Sequence, residues 1–108
     1  MLTLPVFAWV QPTSVDAVLS ELAEHPGECL VVAGGTDAVP NLKHRLHEPR
    51  RVVSLAGVAE LRAASEDAAG LHLGARVTLS ALTRLPELTR DYAAVAHAAS
   101  LVASPQIR

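Results

Sequence analysis

Aromatic side chains are almost missing from this chain of 108 residues: Phe7, Trp9 and Tyr92 are the only three. A core built without them must rest on Leu, Val and Ala. Alanine buries little area, so each helix face gains less than a leucine-rich one would, and such a fold leans on packing against further surface. Cysteine is reduced to Cys29. That excludes an intrachain disulfide and a multi-cysteine metal centre, and it fits a reducing, cytoplasmic setting. Positive charge is not in excess, with 9 Lys and Arg against 11 Asp and Glu and a net charge of −2. This removes the electrostatic case for nucleic acid or an anionic membrane surface as a partner. No run approaches the ~18 apolar residues that span a bilayer. The apolar residues 1–10 are broken by Pro5, lack a basic leader and end at Gln11 and Pro12, so no targeting segment is read there. There is no internal repeat and no low-complexity linker. What remains, half hydrophobic and 19% charged, is a globular composition. Its length suits at most one domain.

The first half alternates strand and helix signals. Residues 7–10 read as a short strand. Thr13 and Asp16 have the spacing of a capping box, and Val15, Val18, Leu19 and Leu22 follow on one helical face. His25, Pro26 and Gly27 stop that helix. Residues 30–32 form a continuous apolar strand of the kind buried on both faces. Pro40 suits the first turn of a helix running to about Leu46, which Glu48 and Pro49 terminate. Residues 52–55 read as a third strand. Strand-helix-strand-helix-strand predicts a small parallel sheet with helical crossovers.

The second half changes character. Residues 61–65 and 71–75 are short strands, with a hairpin turn over 67–70. Thr78 or Ser80 caps a helix towards Leu85. Pro86 opens another, with Glu87 in its first turn. The Ala-rich residues 92–103 are helical, ending at Ser104 and Pro105. Two short strands rarely make a stable sheet alone, so this half is expected to be the front part of a larger domain.

One run declares a chemistry: Val31, Val32, Ala33, Gly34, Gly35, Thr36, Asp37, Ala38 and Val39. An apolar strand passes into two glycines and then a helix. Glycine lets the backbone turn sharply and lets a ligand approach its N–H groups. Consecutive N–H groups in such a turn form a concavity for an anion. The residues alone allow two readings. One is a phosphate or pyrophosphate cradle. The other is a plain strand-to-helix turn in which Thr36 or Asp37 caps the helix. The run matches neither G-x-G-x-x-G nor a P-loop. In the first reading the Asp37 carboxylate orients the loop, since like charges repel, while its N–H joins the donors and the Thr36 hydroxyl reaches the anion. Lys43 is the nearest basic contributor.

Elsewhere the chemistry is sparse. His44 and His47 stand among Lys43, Arg45, Arg50 and Arg51. With no cysteine pair or suitable carboxylate beside them, they read as a solvated basic face and not as metal ligands. Cys29 reads as a small core hydrophobe. His25, His72 and His97 are isolated, and no catalytic residue is assigned.

Order and spacing over nearly the whole chain, from residues 7–55 through 70–75 to 101–108, resemble the N-terminal part of the FAD-binding subunit of molybdenum hydroxylases. This is the family of xanthine dehydrogenase, aerobic carbon monoxide dehydrogenase and 4-hydroxybenzoyl-CoA reductase. Ala33, Gly34, Gly35, Thr36 and Asp37, followed by Pro40, Asn41, Leu42 and Lys43 and then Glu48 and Pro49, are most similar to the last of these. The resemblance implies an α/β (overall α+β) FAD-binding fold of the PCMH type. Residues 1–56 would form the N-terminal α/β FAD-binding subdomain, and 57–108 the beginning of a second, antiparallel one. It also implies that residues 31–39 cradle the FAD pyrophosphate, with Gly34, Gly35 and Thr36 closest, and that Val102 lies against the isoalloxazine ring. A second FAD loop, Thr-x-Gly-Gly-Asn, is expected beyond Arg108.

By the same resemblance the chain works inside a FAD-dependent oxidoreductase complex. It would relay electrons between iron–sulfur clusters and an external acceptor or donor, with an iron–sulfur subunit and a molybdenum (molybdopterin) subunit as partners. The alternative is a non-catalytic module that packs on a partner subunit. A flavoenzyme of the same broad fold with covalent flavin fits less well, because the loop lacks an attachment histidine.

Overall fold

The structure is a computed structural model that describes residues 2–108. It contains two compact units, one running through Ala59 and the other from Glu60 to Arg108.

In the first unit, β1 (Ala8–Val10), β2 (Cys29–Val32) and β3 (Arg51–Ser54) form a parallel sheet in the order β1-β3-β2. Trp9 and Leu30 both register with Val52 on the central strand. Helix α1 (Val15–Glu24) connects β1 to β2, and α2 (Ala38–Lys43) connects β2 to β3. Burial on both faces falls to β3, where Val52, Val53 and Ser54 are all buried. The expectation that β2 would be the doubly covered strand is corrected. As an edge strand it alternates, with Val32 in the core and Val31 41% exposed. Val32, Leu42 and Val52 form the core, with Phe7, Leu30 and Ala38 packed against them, so α2 is anchored to the sheet through Leu42.

The cap of α1 is also corrected by one residue. Ser14, not Thr13, holds the extended backbone of the N-cap, and its hydroxyl accepts from the Ala17 N–H at 3.1 Å. The third helical position is therefore Ala17, which has no side chain to return a bond to the cap. Charge ties the far end of α1 to β3. Arg51 Nε donates to Glu21, and Arg50 pairs with Glu28 at 3.5 Å.

Helix α2 is shorter than expected. Pro40 is its third residue and Lys43 its last. The missing N–H costs nothing at that position, since the first helical N–H groups lack intrahelical acceptors anyway. Beyond Lys43, Arg45 takes the left-handed conformation at φ 57°. Its N–H bonds the Leu42 carbonyl at 3.1 Å, and the Leu46 N–H bonds the Asn41 carbonyl at 3.0 Å. This paired closure ends the helix three residues before the expected limit.

In the second unit, β4 (Ala64–Asp67) and β5 (Gly70–Leu73) form an antiparallel hairpin in which Asp67 pairs with Gly70. The turn falls where the sequence placed it. Ala68 and Ala69 keep negative φ, and Gly70 takes the unusual value of 131° instead. The first strand starts later than expected, because Ala59–Arg62 is a 3-10 turn. Gly74 lies so close to the Leu61 carbonyl oxygen that a Cβ would stand 2.3 Å from it. Helix α3 (Leu79–Leu82) is capped by Thr78, α4 (Pro86–Asp91) opens on the proline, and α5 (Ala93–Leu101) buries Ala96 and Ala99. Both α3 and α4 pack on α5. Leu88 of α4 is fully buried. Among the described residues no helix is long and apolar enough to cross a membrane.

Candidate functional site

Strand β2 delivers the chain to the top of the sheet at Val32, and α2 begins at Ala38. The five residues between them border an open cleft of about 320 Å³. Its walls include Val31, Val32, Ala33, Gly34, Gly35, Thr36, Asp37 and Ala38. Thus eight of the residues singled out from sequence come together on one surface. Val39 and Lys43 do not line the cleft. Val102 belongs to the second unit, where it caps the C-terminus of α5 and is half exposed. Leu30, Asn41 and His47 line the cleft in addition.

The two glycines differ. Gly35 has φ 72°, and a Cβ there would sit 3.2 Å from Val39 Cγ2. The turn itself requires glycine at 35. Gly34 has no such angle, and a Cβ would meet no protein atom within 4 Å. Packing within the chain makes no demand for glycine at 34.

The loop is rich in unused donors. The Val39 N–H bonds the Gly35 carbonyl at 3.0 Å. Among the described residues, the N–H groups of Gly34, Gly35, Thr36 and Asp37 meet no protein acceptor. Asp37 occupies the N-cap of α2 without a side-chain cap bond. Its Oδ2 instead accepts from Asn41 Nδ2 at 3.2 Å. A carboxylate turned to its own helix leaves the row of N–H groups as the polar face of the loop. Such a row, with a left-handed residue inside it, suits an anionic group.

Most nearby cations are engaged. Arg45 pairs with Glu48 at 3.6 Å, and Arg50 and Arg51 hold Glu28 and Glu21. Lys43 is exposed and makes no ion pair among the described residues. No set of three metal-ligating side chains occurs among them either. The Cys29 thiol, half buried, faces the His25 carbonyl at 3.6 Å and behaves as a packed side chain. The titration anomalies lie in the second unit. Asp67 is held below the ordinary carboxylate range by His72, at 3.0 Å, and by the Ala69 N–H. Arg90 is raised by Asp91 and Glu66.

Asn41 and His47 were not singled out as site residues from sequence. Asn41 is one helical turn after Asp37, a spacing that signals the pair. His47 enters through the left-handed Arg45, for which an arginine gives no warning.

Comparison with known proteins places this geometry. The family described as "FAD binding domain in molybdopterin dehydrogenase" matches residues 5–108. The carbon monoxide dehydrogenase medium chain of Hydrogenophaga pseudoflava is 28% identical over 104 residues, covering 96% of this chain and 36% of that one. The xanthine dehydrogenase FAD-binding subunit of Escherichia coli O157:H7 is 36% identical over 98 residues, covering 89% and 32%. The solved carbon monoxide dehydrogenase from Hydrogenophaga pseudoflava superposes with a TM-score of 0.93 at 27% identity, covering 98% of this chain and 37% of that one. Quinoline 2-oxidoreductase from Pseudomonas putida 86 gives 0.90 at 30% identity, covering 97% and 36%. The chain therefore spans about a third of the length of these relatives.

Proposed function

The chain belongs to the family of FAD-binding domains of molybdopterin dehydrogenases, and from that membership we propose that its loop 34–37 holds the diphosphate of FAD. The observation that carries this reading is the row of four N–H groups without protein acceptors, on residues that line an open cleft and include Gly34, where a Cβ would meet no protein atom within 4 Å. A diphosphate supplies the acceptors the loop lacks, and charge-assisted bonds of this kind are about twice as strong as neutral ones. The Thr36 hydroxyl, exposed at the rim, adds a donor. Val31 and Val32 of β2, Ala33 just after it, and Ala38 and Val39 of α2 present the loop. Lys43 draws the anion in from solvent. Val102, an exposed valine at the end of α5, packs on the isoalloxazine ring, because a flat apolar surface gains from burial. Residues 1–56 and 57–108 act as the first and second parts of the FAD-binding fold.

FAD, when bound, supplies the redox chemistry, and the protein contributes position and electrostatics. No side chain of this chain is assigned a proton transfer. The chain serves as an electron relay within a cytoplasmic, heteromeric oxidoreductase, beside an iron–sulfur subunit and a molybdenum subunit. Relatives named as medium chains and FAD-binding subunits support that reading. Flavin content of the intact protein after exhaustive desalting tests it. Stoichiometric FAD that disappears in Gly34→Val is expected, and a protein that never retains flavin would refute the assignment.

A further inference from the structure

One wall of the cleft is not accounted for by the loop. Two of its lining side chains are ionisable, Asp37 and His47. Asp37 has the wrong sign for an anion and is turned to Asn41 at 3.2 Å. His47 is exposed and, among the described residues, makes neither a hydrogen bond nor an ion pair. The other cations of this region are elsewhere. Lys43 does not line the cleft, and Arg45 reaches Glu48 at 3.6 Å. His47 owes its place to the end of α2. The left-handed Arg45 and the bond from the Leu46 N–H to the Asn41 carbonyl reverse the chain. Residue 47 then lies beside Asn41 and Leu30 instead of continuing along the helix.

We propose that His47 is a ligand-binding residue of this cleft, donating from its imidazole to the diphosphate held by the loop. The proposal rests on the loop reading given above. It assigns the cationic side-chain contact to a position outside the glycine run. Histidine changes charge between about pH 5 and 8, and a bound anion favours the protonated ring. The charged groups nearest the ring are Asp37, which lines the same cleft, and Glu48, next in the chain and paired with Arg45 at 3.6 Å. Cys29 and His47 also share the lining of an adjoining cleft. Flavin retention is therefore stronger in acid than in base over this range.

The test uses the intact flavin-loaded protein and follows flavin fluorescence on release after dilution, at about pH 6 and pH 8. Wild type is compared with His47→Gln, His47→Arg and Gly34→Val. Release from His47→Gln is expected to be about ten-fold faster than from wild type at the lower pH, the scale of one hydrogen bond to a charged group, and nearly independent of pH. His47→Arg should hold flavin tightly at both. If Gly34→Val loses flavin but His47→Gln matches wild type in rate and pH profile, this inference is overturned and the loop reading stands. If wild type holds no flavin, or holds it unaffected by Gly34→Val, both fall together.

Discussion

Gly34→Val separates the ligand's need for glycine from the fold's need. Gly34 has no left-handed angle, and its Cβ would meet nothing within 4 Å, so the substitution leaves the turn unstrained. On the proposed reading the isopropyl group nevertheless competes with the ligand for a cleft of about 320 Å³ that Gly34 lines. Pushing a diphosphate off two of those N–H groups forfeits about 1.5–3 kcal/mol for each charged hydrogen bond. The sum, about 3–6 kcal/mol, corresponds to a loss of roughly 10²–10⁴ in FAD affinity. Gly35→Ala provides the contrast. At φ 72° an alanine costs about 1–2 kcal/mol in folding, before its contact with Val39 is counted. Any flavin lost from that variant is confounded with lost stability. The assay is paired: bound flavin after desalting and thermal midpoint, on the intact protein. Gly34→Val should lose flavin at an unchanged apo midpoint, and Gly35→Ala should lower the midpoint. A Gly34→Val protein that keeps stoichiometric FAD would refute the reasoning.

Three further expectations concern the scaffold. Leu42→Ala removes the side chain that seats α2 on the sheet and should cost about 2–5 kcal/mol in denaturant unfolding; a cost below the range for exposed positions would mean α2 is not anchored there. Gly74→Ala forces a Cβ to 2.3 Å from the Leu61 carbonyl oxygen, so the backbone must shift and the midpoint should fall, whereas Gly27→Ala, with open space but φ 75°, should show only the cost of the angle. Asp67 has its folded pKa depressed below the ordinary 3.8 by His72 and the Ala69 N–H. Its contribution is thus present above that value and lost as pH falls through the lower folded one. Carboxyl titration followed by NMR should show the depression, and His72→Ala should return Asp67 most of the way to 3.8.

How far the sequence carried the fold depends on which physical signal each feature leaves. Three apolar stretches separated by helical spacing announce a parallel sheet, because crossover helices cover its faces. They do not announce strand order. Residues 30–32 and 52–53 read alike as apolar runs, and only pairing reveals that β3 is central and β2 an edge. Thr13 and Ser14 are neighbouring hydroxyls that can both cap a helix, and the backbone angle at Ser14 shows which one does. The end of α2 was hidden more deeply. A left-handed glycine can be suspected from sequence, but Arg45 pays a steric cost that only the closing bonds to Leu42 and Asn41 justify.

The same logic governs the site. The donors proposed for it are backbone N–H groups, which every residue but proline carries. A site built this way writes itself into sequence only where a side chain would be intolerable. Gly35 is required by its angle, whereas nothing within the chain requires glycine at 34, and on the proposed reading it serves the ligand. Two adjacent glycines look equivalent in a string of letters, yet only Gly35 is demanded by the fold, and the proposed role of Gly34 is toward the ligand. Residues that approach from outside the loop leave no such mark. His47 resembles any solvated histidine until the turn at Arg45 brings it to the cleft. A ligand site of this kind is therefore read from glycines first and from chain reversals second, and the pH dependence of flavin release at His47 measures what the second step adds.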